Sequence, residues 1–440
     1  NGRSVPARRP ERVRIRLGEY NPQDLLRLPH IIEARQRHPD DSLTFTVAIR
    51  ESAFDNPGLS IRGMQTMGQS PKLSFRAFLI GLLIAFFLGV VGSLALRPPG
   101  APAGMASDHT DGAPLEPVKW RVALAFGSNL PALGDNILYV ADAVSTTSNR
   151  RIALQTFEPG ELISAFAITE AVGDGRLPAG YTWLGYDQGR VPASALLGAV
   201  PFGMEPWEFM AWWYDGGGRE LAEEMYHKRG VHPLLCGMIG PEAAGWFRFA
   251  IEDLSDVRGL KIRFAGLGGR VLQRLGASVT MIPGSELFQS LERGAIDALE
   301  YSLPSVDERL GFQRVANYNY FPGWHQTFTS FHMVVNLKRW NALPETDRRL
   351  LDTACTAGVT RNLAHGEAIQ GAVIEQFQSR GVFTEQLPEA LLRTLRDVSE
   401  EVLEEEAAAD PEFARILESQ REFRDVYAEW KRLAYLPRDF

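Results

Sequence analysis

The chain has 440 residues, of which 45% are hydrophobic and 23% charged, with a formal net charge of −8. That composition excludes wholesale disorder and suits one large two-lobed unit or two to three ordinary domains. Residues 1–76 hold 13 Lys+Arg against 8 Asp+Glu, so the rest of the chain is acidic and has no electrostatic reason to bind nucleic acid or an anionic membrane.

In chain order, residues 1–76 are rich in Arg, Pro and Gly and do not read as part of a folded body. They are expected to be a disordered or spurious extension upstream of Met64 and Met67, or a small cytoplasmic element around the strand-like LTFTVAI. Residues 77–96 (AFLIGLLIAFFLGVVGSLAL) carry no charge and are long enough to cross a bilayer as a helix. Lys72 and Arg76 precede them, which points the N-terminal end to the cytoplasm. The stretch is either the apolar part of a signal peptide, cut after Ala95 or Ala103, or an uncut membrane anchor. Both readings export the remainder of the chain, to the periplasm or to the outer face of the inner membrane. Residues 97–117 form a Pro/Gly/Ala linker.

From 118 to the end, strand-like and helical patterns alternate, which indicates an α/β fold. Strands are expected at 118–126, 151–157, 259–265 and 327–336, and a helix at 135–149. The GLGGRV turn at 266–271 follows a strand and opens a helix, but ends on Val271, where a dinucleotide loop wants Gly or Ala. It reads as a close-packed strand-to-helix turn. A helix of about 36 residues, or ~54 Å, runs from Pro344 to Gly381. It is longer than one lobe and should bridge two. A final helix carries Phe413, Ile416, Leu417, Phe423, Tyr427 and Trp430 on one face, expected to pack on its own body, with a dimer contact as the alternative. Trp212, Trp213 and Tyr214 are expected in the core.

Enzyme signatures are missing: there is no GxSxG elbow, HExxH helix or P-loop. The eight histidines show no metal-ligand spacing such as i, i+4. Cys236 and Cys355 are too few for a zinc ribbon or a disulfide framework. They read as free thiols, with a single bridge as the alternative in an oxidising compartment. The protein is therefore expected not to be an enzyme.

Four segments are distinctive: AVPFGMEPWEFMAWWYDGGGRELAEEMY (199–226), PEAAGWFR (241–248), DVRGLKIRFAGLGGRVLQRLGASVTMIPGSELFQSLERGAIDALEYSLPSVDERLGF (256–312) and YFPGWHQ (320–326). Together they make residues 118–440 resemble the substrate-binding subunits of tripartite ATP-independent periplasmic (TRAP) transporters, above all the branch that binds 2-oxo acids and related monocarboxylates. The resemblance implies a two-lobed periplasmic solute-binding fold with a hinge, a long helix spanning both lobes and a helical C-terminus, the second lobe covering roughly 245–330. It implies capture of a small organic acid for the membrane subunits of such a transporter, and a homodimer through the C-terminal helix.

The family's carboxylate-binding arginine falls on Arg263, whose planar guanidinium can grip a carboxylate with two parallel hydrogen bonds. The branch's metal positions fall on Glu300, Tyr301 and Glu242. Family members have a neutral Gln at the last of these and bind sodium. The second carboxylate here favours a hard divalent cation such as calcium over Na+, or a metal-free site in which Glu242 bonds a ligand hydroxyl. Trp183, Tyr186, Phe202, Trp324 and His325 lie in loops that conform to the family and are candidates to line the cleft. The rival reading is a membrane-tethered solute sensor, which the uncut-anchor option for 77–96 keeps open.

Overall fold

The computed structural model describes residues 116–436. The extension 1–76, the apolar segment 77–96, nearly all of the linker and residues 437–440 lie outside the described residues. Among the described residues no helix is long and apolar enough to cross a membrane.

The strands in chain order are β1 (Val118–Leu124), β2 (Ile152–Phe157), β3 (Ala179–Thr182), β4 (Val231–Ile239), β5 (Gly245–Phe247) and β6 (Lys261–Arg263). They continue with β7 (Ser278–Thr280), β8 (Ala298–Leu299), β9 (Tyr318–Phe321), β10 (Thr329–Asn336) and β11 (Phe383–Gln386). They form two sheets, one ordered β2-β1-β3-β10-β4 and the other β11-β9-β5-β8-β6-β7. The sheets are mixed: β1 runs parallel to β2 and β3, whereas β10 is antiparallel to β3 and β4. In the second sheet β5 is antiparallel to both of its neighbours. Every residue of β4 is buried, although Pro233 lies within it. β4 is the last strand of its sheet, so the missing N–H of Pro233 breaks no ladder on the outer side.

The chain leaves the first sheet after β4 and returns to it through β10. The two crossing segments, 240–244 and 322–328, lie against each other. Glu242 N–H donates to Gln326 O at 3.2 Å. Gly323 sits so close to Glu242 that a Cβ there would lie 2.2 Å from its carbonyl oxygen; only glycine fits.

A third connection is the helix Glu345–Ser379, 35 residues or ~52 Å long. It ends at Arg380, followed by Gly381 at φ +82°, the left-handed stop that glycine adopts at low cost. Its first half lies on β4, where Asn362 Nδ2 donates to Met238 O at 2.8 Å. Its second half places Val373 and Phe377 in a separate core with Trp246, Leu287, Leu291 and Phe312. One rigid helix thus joins both cores, as expected.

Three expectations are corrected. Cys236 and Cys355 are not free thiols; they form a disulfide between β4 and the long helix, because that helix packs on the edge strand. The final helix, Pro411–Ala434, buries Phe413, Ile416 and Leu417 but leaves Val426, Trp430 and Leu433 at 80%, 60% and 66% exposure; its second half meets the body through polar contacts instead, Lys431 pairing with Glu205 at 2.9 Å and Glu208 at 3.1 Å. Trp212 and Trp213 are buried, whereas Tyr214 lies 37% exposed and donates to Thr356 Oγ1 at 3.3 Å.

Candidate functional site

Arg263 ends β6, and Glu300 follows β8 directly. These strands are parallel with Arg263 opposite Leu299, so the register sets the Glu300 side chain beside the guanidinium. Arg263 Nη1 donates to Glu300 Oε2 at 2.9 Å and also reaches the Glu300 backbone oxygen. Arg263 Nε donates to Ile282 O at 3.4 Å, and Ala265 N–H donates to Glu300 Oε2 at 3.1 Å. The Tyr301 ring centroid lies 5.3 Å from Arg263 Cζ, within cation–π range. Both members of the pair are 1% exposed.

The crossing segments bring the remaining groups. Glu242, on the first, accepts a hydrogen bond from Thr329 Oγ1 at 2.8 Å. Gln326, on the second, donates its amide N–H to Glu242 Oε2 at 2.6 Å when its NH2 faces that carboxyl. His325 Nε2 lies 3.5 Å from Glu300 Oε1 and 3.9 Å from Glu242 Oε2. One donor atom from each of Glu242, Glu300 and His325 falls within 4.8 Å of the others. The two buried carboxyls of this set supply the oxygens that a hard cation takes.

The electrostatics separate the two carboxyls. Burial raises the Glu242 carboxyl well above its ordinary value, and the Glu300 charge adds to the rise. Burial pushes Glu300 the same way, but Arg263, His325 and the Ala265 N–H hold it below the usual range. Two buried carboxylates a few ångströms apart do not both ionise readily without a cation. Burial pushes the Tyr186 phenol up to about 12, while the nearby Arg263 guanidinium opposes the rise. Asp307, whose Oδ2 accepts from Trp246 Nε1 at 2.8 Å, is also raised well above its ordinary value by burial.

The pocket between the two sheets is lined by Arg263, Glu242, Glu300, Tyr301, Trp183 and Tyr186, among others. His325 stands behind it, on the two carboxyls. Phe202 and Trp324 do not line it: they pack on each other at 5.9 Å, and Trp324 also packs on Phe264 at 5.8 Å. Gln326, Thr329, Phe126 and Phe331 also line the pocket and were not singled out from sequence. Gln326 ends the YFPGWHQ motif, where attention falls on the aromatics. Thr329 and Phe331 belong to a fully buried strand that gives no alternation to separate pocket from core.

Two sheets joined by crossing segments and a long helix, with a buried arginine and two carboxyls between them, define a two-lobed solute-binding protein. Residues 127–410 match the family described as bacterial extracellular solute-binding protein, family 7, and the chain belongs to that family, the substrate-binding proteins of TRAP transporters. It is 32% identical over 320 residues to a monocarboxylate 2-oxoacid-binding periplasmic protein of Nostoc sp., covering 72% of this chain and 87% of that protein. Among solved structures, a TRAP periplasmic solute-binding protein of Colwellia psychrerythraea, with bound calcium and pyruvate, is 33% identical with a TM-score of 0.70, covering 72% of this chain and 98% of that one. One from Pseudoalteromonas atlantica, with bound sodium and pyruvate, is 34% identical with a TM-score of 0.70, covering 72% and 97%.

Proposed function

We propose that this protein captures a compact monocarboxylate, a 2-oxo or 2-hydroxy acid, in the periplasm and delivers it unchanged to the membrane subunits of a TRAP transporter. One observation carries the reading: Arg263 is fully buried yet lines the pocket. A buried guanidinium is costly unless its charge is answered. Glu300 supplies one partner, and an incoming carboxylate supplies the next.

Glu242 and Glu300, with Tyr301 beside them, are the groups that would hold a cation. The cation would offset the second carboxyl and give the ligand's oxygens a partner. Charge balance favours calcium over sodium. With both glutamates ionised, Arg263, one divalent ion and one monocarboxylate leave the pocket neutral, whereas sodium leaves one negative charge. A neutral residue at position 242 would balance with sodium instead.

The same reading has closure of roughly 245–330, together with β11 and the end of the long helix, against the remainder bury the site, and the segment at 77–96 export the protein. Shifting such a clamp from 1:99 to 99:1 takes ~5.5 kcal/mol of preference for the closed state. The exposed Val426, Trp430 and Leu433 support a homodimer through the final helix. A monomeric mass in light scattering at micromolar concentration would contradict that.

The deciding experiment is a thermal-shift screen of organic acids with calcium, sodium or chelator present. A ligand raises the melting temperature in proportion to the logarithm of its concentration. If no carboxylate stabilises the protein under any ionic condition, the reading fails.

A further inference from the structure

The helix Gly218–His227 runs into β4 through the short turn 228–230, and this turn brings two histidines together. His227 Nε2 and His232 Nδ1 are 2.9 Å apart. Two imidazole nitrogens at that distance need a proton or a cation between them. Glu223 lies one turn before His227 on the same helix, and donor atoms from Glu223, His227 and His232 all fall within 4.8 Å of one another. The i, i+4 spacing is that of Glu223 to His227. The third group is five residues beyond His227 and across a change of secondary structure, so histidine spacing alone does not show it.

We propose that Glu223, His227 and His232 form a second cation site, selective for a borderline divalent ion such as zinc and independent of the solute pocket. Imidazole nitrogens suit zinc, copper and nickel and do not suit calcium. A tetrahedral zinc ion holds its nitrogen ligands ~2.0–2.1 Å away, and therefore ~3.3 Å apart, close to the separation already present. His232 is held for the role: it is 3% exposed and stacks on Trp340 at 4.0 Å between near-parallel rings. His227 and Glu223 are partly exposed, which gives an ion an entry path. Arg219 donates to Glu223 Oε1 at 3.0 Å and must release it. It remains paired, because it also donates to Asp352 Oδ1 at 2.7 Å and Oδ2 at 3.3 Å. Three protein ligands leave a coordination position for water. His232 stands seven residues before the end of β4, ~23 Å along the strand from the crossing segments, so the two sites cannot share an ion. The bound ion would pin the helix Gly218–His227 to the edge strand.

The test is zinc titration of the whole protein by calorimetry in saturating calcium, with cobalt absorption spectra as a second readout. Wild type is expected to bind one zinc that His227→Gln and Glu223→Gln each weaken at least tenfold, with loss of the visible cobalt band. Glu242→Gln is expected to keep that zinc. Glu223 is partly exposed and its Arg219 partner keeps Asp352, so Glu223→Gln should leave the melting temperature in chelator near that of wild type, which separates ligand loss from unfolding. The proposal is overturned if wild type takes up no zinc, or if His227→Gln binds it with unchanged affinity.

Discussion

Replacing Arg263 with lysine separates its charge from its shape. The arginine spreads its hydrogen bonds over a fork: Nη1 serves the Glu300 carboxylate and backbone, and Nε serves Ile282 O. A lysine keeps one positive charge opposite Glu300, but its ammonium is a point donor that the glutamate engages, and it cannot present a second parallel N–H to a ligand. Losing one charge-assisted hydrogen bond costs about 1.5–3 kcal/mol, which corresponds to a Kd weakened roughly 10–150-fold. The assay is calorimetric titration of Arg263→Lys with pyruvate in calcium, alongside its melting temperature without ligand. We expect Kd to rise in that range while the fold holds. A Kd within twofold of wild type would refute the guanidinium's role. Arg263→Ala is a poorer probe than sequence alone suggests. It leaves Glu300, 1% exposed, without its counter-charge, and breaking a buried pair in this way costs about 3–5 kcal/mol of stability.

Under the proposed charge balance, Glu242→Gln should shift the cation dependence of carboxylate binding from calcium toward sodium, and equal calcium dependence in variant and wild type would count against that argument. His332 is buried on β10 with neither ring nitrogen partnered, and burial lowers its pKa to about 3. The folded state therefore resists a proton that the unfolded chain accepts near 6.5. Stability should fall as pH drops from 6.5 toward 3, by up to about 5 kcal/mol. Asp187, pushed up to about 6 by burial, acts oppositely, adding stability as pH falls from 6 toward 3.8. His332→Met should flatten the acid limb of melting temperature against pH; an unaltered slope would exclude His332 as its source. The Cys236–Cys355 bridge spans a sequence separation of 119, for which loop-closure entropy predicts about 5 kcal/mol. Cys236→Ala with Cys355→Ala should melt several degrees lower, and insensitivity of wild type to reductant together with an unchanged double variant would contradict this.

Much of the fold was legible because its signals are local. Pro344 and Gly381 bracket the long helix, and that helix was found within about a residue at each end. The strand patterns at 151–157 and 327–336 correspond to β2 and β10, with small shifts at their ends. Arg263 and Glu300 were legible only through the resemblance, since an Arg on a strand and a Glu after one are common. Their direct pairing depends on the register of β6 against β8, which no local pattern specifies. Trp324 and Phe202 were read as cleft residues, yet they pack on each other and are not among the residues that line the pocket. An aromatic side chain looks the same in sequence whether it lines a cavity or fills a core.

The amino-acid sequence by itself determined the strands β1, β2, β6 and β10, the long helix and the acidic α/β body, because backbone preference and periodicity reside in neighbouring residues. Only the tertiary structure decided that Cys236 meets Cys355 and that His325 joins Glu242 and Glu300. Those meetings depend on sheet order and on where the chain crosses between lobes. Both arise from the packing of segments far apart in the chain, whose mutual placement no single stretch encodes.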